Sequence, residues 1–198
     1  MTATACTSST ASETETPTSV PTSAAVTPAP GAPVRTAPGT ALLFGQSAVL
    51  PANAFAAQGP SAMFTVTGIT PAEGVPDSTT KGGVPYFLYV TVTSLAARPA
   101  AAPTATGLAG SADGKTPALT LAPTPGLAKC PVAAPPEKMR RGDSYALCLV
   151  AVADEGTKLR QVIYWADTSG DPRFDYKSGP VVWAPPAPPT SASTPATG

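Results

Sequence analysis

Residues 86–93 read YFLYVTVT. A period of two sorts the run: Tyr86, Leu88, Val90 and Val92 fall on one face, and Phe87, Tyr89, Thr91 and Thr93 on the other. Aromatic and β-branched side chains suit a pleated surface, so the run predicts a strand. The same alternation recurs on either side. In MFTVTGI (63–69), Phe64 and Val66 alternate with Thr65 and Thr67. SYALCLVAV (144–152) is apolar on both faces, as a central strand covered on each side would be. LRQVIYW (159–165) sets Leu159, Ile163 and Trp165 on one side. FGQSAVLP (44–51), PALTLA (117–122) and GPVVW (179–183) bring the set to about seven strands.

Turn residues separate these runs: DGK at 113–115, RGDS at 141–144 and DEGTK at 154–158. No amphipathic helical pattern exceeds two turns. The fold class expected is all-β, an immunoglobulin-like antiparallel β-sandwich over residues 41–183. All five Phe, all five Tyr and both Trp lie in that span. Residues 1–40 are almost wholly Thr, Ser, Pro, Ala, Gly and Val, and residues 184–198 repeat that composition. Recurrent proline forbids helix, and no aromatic residue is present to anchor a core, so both stretches read as disordered tails, the first a tether.

The 198 residues include 26 Pro, 17 Gly, 12 basic and 12 acidic side chains, for a formal net charge of zero. A neutral chain with scattered charge has no electrostatic reason to seek nucleic acid or an anionic membrane. Histidine is absent, which removes the Ser-His-Asp and Cys-His sites. Three cysteines without histidine do not fill a tetrahedral zinc site. No cofactor or metal site is expected. No stretch approaches the roughly 20 apolar residues of a membrane span. The first residues, MTATACTSST, form no complete secretion signal, so the sequence is expected to be either cytosolic or a processed form.

Cys130 and Cys148 bound the segment KCPVAAPPEKMRRGDSYALC (129–148). A metal site fails on ligand number, and a redox pair normally has two intervening residues beside a helix. Two buried free thiols remain an alternative. A structural disulfide suits the layout best, because Cys148 points with Val150 and Val152 from a central strand. The bridge would contribute about 3 kcal/mol through chain entropy and would place the protein in an oxidising compartment. Cys6 stands after TATA, which is like the end of a bacterial lipobox, although Ala3 occupies the position where Leu is usual. The alternative is an incidental cysteine in a tail. If lipidated, Cys6 would anchor the domain to the outer face of the cytoplasmic membrane on a tether of up to about 100 Å.

Other motifs admit plainer readings. RGD at 141–143 is either an integrin-type ligand or a chance tripeptide in a turn, and the second is favoured because glycine serves a chain reversal there. STTK at 78–81 has the Ser-x-x-Lys form of penicillin-recognising enzymes, but Pro76, Gly82, Gly83 and Pro85 around it argue for a loop. DTSGDPRFD (167–175) gathers Asp167, Asp171 and Asp175, either a calcium loop or a solvated hairpin loop; Pro172 occupies the position where an EF-hand needs Gly. Tyr86, Tyr89, Tyr164, Trp165 and Trp183 form either a ligand platform or packing.

The ordered succession LLFGQSAVL, FTVTGI, YFLYVTVTSL, DGK, the cysteine pair with its Gly turn, and LRQVIYW before VVW resembles the secreted immunoglobulin-like domains of actinobacterial envelope proteins. That group includes the mycobacterial immunoprotective antigen and the DUF4352 domain. The likeness covers residues 41–183. It departs at Ser94, where the group usually has Asn, and at an Ala/Pro-rich insert over 96–105. It implies export and a binding or structural role, and no catalytic residues carry over from it.

The function expected is that of a tethered, exported cell-envelope sandwich, a lipoprotein if Cys6 is modified, presenting a face or loops to an unidentified protein or envelope component. It is expected to act as a single copy, without enzymatic activity. One alternative is a cell-wall enzyme using Asp167, Asp171 and Asp175; another is an antigenic or spacer domain with no dedicated ligand.

Overall fold

The computed structural model describes residues 19–56, 59–166 and 172–187. SAMFTVTGITP forms β3 (Ser61–Pro71) and VPYFLYVTVTS forms β4 (Val84–Ser94), antiparallel neighbours with Phe64 opposite Val92. On the far side of β4 runs β7 (Ser144–Ala153), with Tyr89 opposite Cys148. β2 (Ser47–Pro51) adds to β3 and β6 (Leu119–Leu121) to β7, which gives a five-stranded sheet in the order β2-β3-β4-β7-β6. The second sheet holds β1 (Ala41–Leu43), β9 (Val181–Ala184), β8 (Gln161–Tyr164) and β5 (Leu108–Ser111), in the order β1-β9-β8-β5. The two sheets enclose one core, so the fold is the β-sandwich that the alternation predicts.

The described residues hold nine strands rather than about seven. The additions, β1 and β5, are three and four residues long, too short to show an alternation of their own. The antiparallel expectation also needs correction, because β1 runs parallel to β9. A further correction concerns Leu159, which packs in the core with Val162 and Tyr164, not on the side of Ile163. The strand begins only at Gln161, so its parity does not extend back to Leu159.

Phe64, Val66, Leu88, Val90 and Val92 from the larger sheet meet Val162, Tyr164 and Trp183 from the smaller. The Phe64 and Tyr164 ring centroids are 6.1 Å apart, and Tyr176 meets Tyr164 edge-on at 5.3 Å. Buried polar tips find partners: Trp183 Nε1 donates to the Gln46 carbonyl at 2.9 Å, and the Tyr176 hydroxyl to the Thr36 carbonyl at 2.8 Å. Burial pushes the Tyr164 and Tyr176 hydroxyls above the ordinary phenol range.

The outer face of the five-stranded sheet is covered as well, in two halves. Phe87, Tyr89, Cys148, Val150 and Val152 pack beneath Leu127 and Cys130 of the connection that follows β6. The other half carries the hydroxyls of Thr65, Thr67, Thr91 and Thr93, all buried. Residues from 19 onward, within the stretch 1–40 expected as a tether, cross this half. A proline-rich stretch makes no ladder of its own, but outward-facing threonines supply partners for its backbone. Thr67 Oγ1 donates to the Pro21 carbonyl, and the Ala24 N–H donates to Thr91 Oγ1 at 2.9 Å. Further on, Thr36 exchanges hydrogen bonds with Val49 at 2.9 Å each, covering the exposed edge of β2. Residues 1–18 and 188–198, and with them the rest of the two expected tails, lie outside the described residues.

Candidate binding groove

Chain segments that are far apart in sequence meet on the outer face and leave a groove of about 650 Å³ between them. Its floor is Tyr89 of β4 with Ala146 and Cys148 of β7. One wall is the strap that begins at Ser19 and Val20; the other is the connection around Lys129 and Pro131. Each element has a local reason for its position. β3 carries an irregularity between Val66 and Gly68, a bulge that places Thr67 out of register. Val20 sits in the space above Gly68, where a Cβ would stand 2.3 Å from Val20 Cγ1. Only glycine gives the strap that close an approach.

The opposite wall is held by sulfur. Cys130 and Cys148 form a disulfide, with 5.3 Å between their Cα atoms. Cys130 is fully buried, so the bridge pins its connection to the middle of β7. Lys129 Nζ pairs with Glu73 Oε2 at 3.0 Å on the rim. Both side chains are well exposed, so this pair contributes little stability. The Tyr89 ring is buried yet lines the groove, and its hydroxyl makes no hydrogen bond among the described residues. The groove therefore offers a mainly apolar lining with the Tyr89 phenol on its floor and Ser19, Thr22, Ser23 and Lys129 in its walls, an arrangement suited to binding and without an evident pair of acid and base.

The structure places the remaining sequence candidates as follows. Cys6, Asp167 and Asp171 lie outside the described residues. Asp175 accepts the Ser178 N–H at 3.0 Å, and these hydrogen bonds lower its pKa; it serves a turn. Among the described residues no three Cys, Asp or Glu side chains converge on a metal-sized site. In the RGD triplet, Arg141 Nη2 donates to the Ala29 and Gly31 carbonyls at 2.7 and 2.9 Å, and Asp143 Oδ2 accepts the Arg140 N–H at 2.7 Å. The triplet is thus occupied in holding the strap and its own turn.

Residues Asp77–Thr80 form one turn of helix, α1, where a loop is expected; Lys81 closes it in the left-handed region at φ 51°. No hydrogen bond joins Ser78 to Lys81. The five aromatics do not gather into a platform: Tyr86, Tyr164 and Trp183 belong to the inter-sheet core, and Tyr89 to the outer cluster. Lys177 Nζ lies 5.6 Å from the Trp165 ring. Sequence reasoning missed the strap residues Val20 and Ala24 and their partners Thr67 and Thr91. The available signal was the row of threonines on the outward face of two adjacent strands.

No family model matches the chain, so the DUF4352 likeness finds no support there, and no curated protein matches it. Among solved structures the fold is similar to that of MPT63, a secreted protein from Mycobacterium tuberculosis, at 11% sequence identity and a TM-score of 0.50. The match covers 76% of this chain and 100% of that one. At that identity the likeness is one of fold.

Proposed function

We propose that this protein is an exported, non-catalytic β-sandwich that holds a cell-envelope component in the groove on the outer face of its five-stranded sheet. The observation that carries the reading is the groove itself: about 650 Å³, with Tyr89 on its floor and a disulfide-pinned wall. A surface slot of this size with mainly apolar walls accepts a small or chain-like apolar group. Export is supported by the disulfide, which persists in oxidising compartments, and by the likeness of fold to a secreted mycobacterial protein. The absence of histidine and the turn-forming role of Asp175 favour binding over a carboxylate-based cell-wall enzyme. A lipid on Cys6 would hold the sandwich at the outer face of the cytoplasmic membrane; a mass spectrum of the native protein with no added lipid at Cys6 removes the anchor and leaves the groove reading intact.

The binding test uses Ala146, an exposed floor residue in mid-strand. Ala146→Trp fills the groove without touching the inter-sheet core. Wild-type and variant proteins are incubated with envelope extract, re-purified, and their bound components identified by mass spectrometry. A component retained by wild type and lost from Ala146→Trp supports the reading. Equal retention by both sinks it.

A further inference from the structure

The strap is held one contact at a time. Thr67 bonds the Pro21 carbonyl, Thr91 the Ala24 N–H, Val20 occupies the space above Gly68, and Arg141 holds the carbonyls of Ala29 and Gly31. Beyond Gly31 the chain turns back and is anchored afresh. Arg35 Nε donates to Ser61 Oγ at 2.8 Å, its guanidinium also reaches the Gly59 carbonyl, and it lies 4.8 Å over the Phe174 ring. The segment therefore has a fixed part at Arg35 and Thr36 and a peripheral part over residues 19–30. Between them lies the sequence Pro30, Gly31, Ala32, Pro33.

We propose that residues 19–30 exchange between two copies of this chain, each strap completing the groove of the other copy. Among the described residues, the hydrogen bonds of the peripheral part run to the sandwich and none to a ladder within the strap. A second copy offers the same Thr67, Gly68, Thr91 and Arg141, so reciprocal exchange conserves all of these contacts and closes with two-fold symmetry. The strap also forms one wall of the groove, through Ser19, Val20, Thr22 and Ser23, so the site is incomplete without a strap from one copy or the other.

The hinge favours opening. Proline holds the residue before it in extended backbone, which applies to Ala29 and Ala32. The reversal then depends on Gly31, whose φ of +96° lies where glycine alone is unstrained, and on the Arg141 clamp. An extended Gly31 straightens the hinge and carries residues 19–30 away from their own sheet.

Because exchange conserves contacts, the monomer is favoured only by the effective concentration of the strap, of order mM for a short flexible link. Wild type should therefore be monomeric at about 10 μM and dimerise as it approaches about 1 mM. Gly31→Ala strains only the closed bend, by roughly 10-fold in its equilibrium for each strap. Two straps open in one dimer, so its dissociation constant falls roughly 100-fold.

The test is sedimentation equilibrium of the full chain with Cys6 alkylated, followed by isotope-filtered NMR on a mixture of labelled and unlabelled protein. The expected results are a dimer of Gly31→Ala near 10 μM and an intermolecular NOE between the Val20 methyls of one copy and Gly68 of the other. Wild type at about 1 mM should give the same Val20–Gly68 NOE and serves if Gly31→Ala misfolds. Folded protein that stays monomeric up to 1 mM, or a dimer lacking the Val20–Gly68 NOE, overturns the proposal.

Discussion

Tyr89 of β4 stands directly opposite Cys148 of β7, so the disulfide is anchored at the centre of the larger sheet, beside an aromatic ring on its outer face. Closing the loop between Cys130 and Cys148, 18 positions apart, restricts the unfolded chain and contributes about 3 kcal/mol. For a sandwich of this size that corresponds to a fall in Tm of roughly 10 °C when Cys130 and Cys148 are both replaced by Ala. Calorimetry of the oxidised protein, the reduced protein and the double variant checks this. The reduced and double-variant curves should coincide below the oxidised one; three coincident curves would show that the staple does not stabilise the fold.

Gly68→Ala tests the seating of the strap. The added Cβ would stand 2.3 Å from Val20 Cγ1, so Val20 must move, while the inter-sheet core does not feel the change. The strap should loosen at a cost of about 1 kcal/mol or less, because Val20 is only partly buried. Amide exchange at residues 19–24 should quicken, Ala24 in particular, with little change at Phe64 or Val90. Uniform acceleration across β3 and β4 would mean that the glycine serves the strand rather than its visitor.

The main strands were legible because their side chains declare a period of two. In β4 the run from Tyr86 to Val92 sends its apolar set to the core just as the spacing predicts. The cysteine pair was legible because Cys148 shares a face with Val150 and Val152, and that face needed a cover. β1 and β5 were not, since three or four residues hydrogen-bonded into place by their neighbours carry no pattern of their own. The strap was illegible for a different reason. Its order comes from hydroxyls on β3 and β4 and from Arg141, about 110 residues away in sequence, and no local propensity encodes such partners. The groove shares that difficulty, because Val20, Tyr89, Pro131 and Cys148 converge only after the sheet has formed.

At the β5 end, Asp113 gathers the Thr116 and Lys115 N–H groups at 2.8 Å each, with the Thr116 and Ser111 hydroxyls at 2.9 and 3.0 Å. Four donors to one carboxylate favour its charged form and hold its pKa well below the ordinary value of 3.8. A depressed folded pKa contributes stability that is complete above the unfolded value and drains away as pH falls through and below it. Thermal melts should therefore show an acid-dependent loss beginning near pH 4 that is smaller in Asp113→Asn. An unchanged acid limb in that variant would remove Asp113 from the account.

The alkaline limb belongs to the buried phenols. The Tyr145 hydroxyl donates to the Pro103 carbonyl at 2.6 Å, across the connection between β4 and β5, and burial raises its pKa from 10.0 to about 12. Ionisation would both bury a charge and remove the donor from that bond. The sign is opposite to that of Asp113: the neutral form is favoured by folding, so the contribution is complete below pH 10 and is lost as pH rises from 10 towards 12. Tyr145→Phe deletes the hydroxyl while keeping the ring against the core, at a cost near 1 kcal/mol at neutral pH. Because Phe cannot ionise, the variant should close the gap to wild type as pH rises, and denaturant melts at pH 8 and pH 11.5 measure that convergence. Tyr164 and Tyr176 titrate in the same direction, so the variant still weakens in alkali. A stability difference between wild type and Tyr145→Phe that is equal at both pH values would show that the Tyr145 proton is not linked to folding.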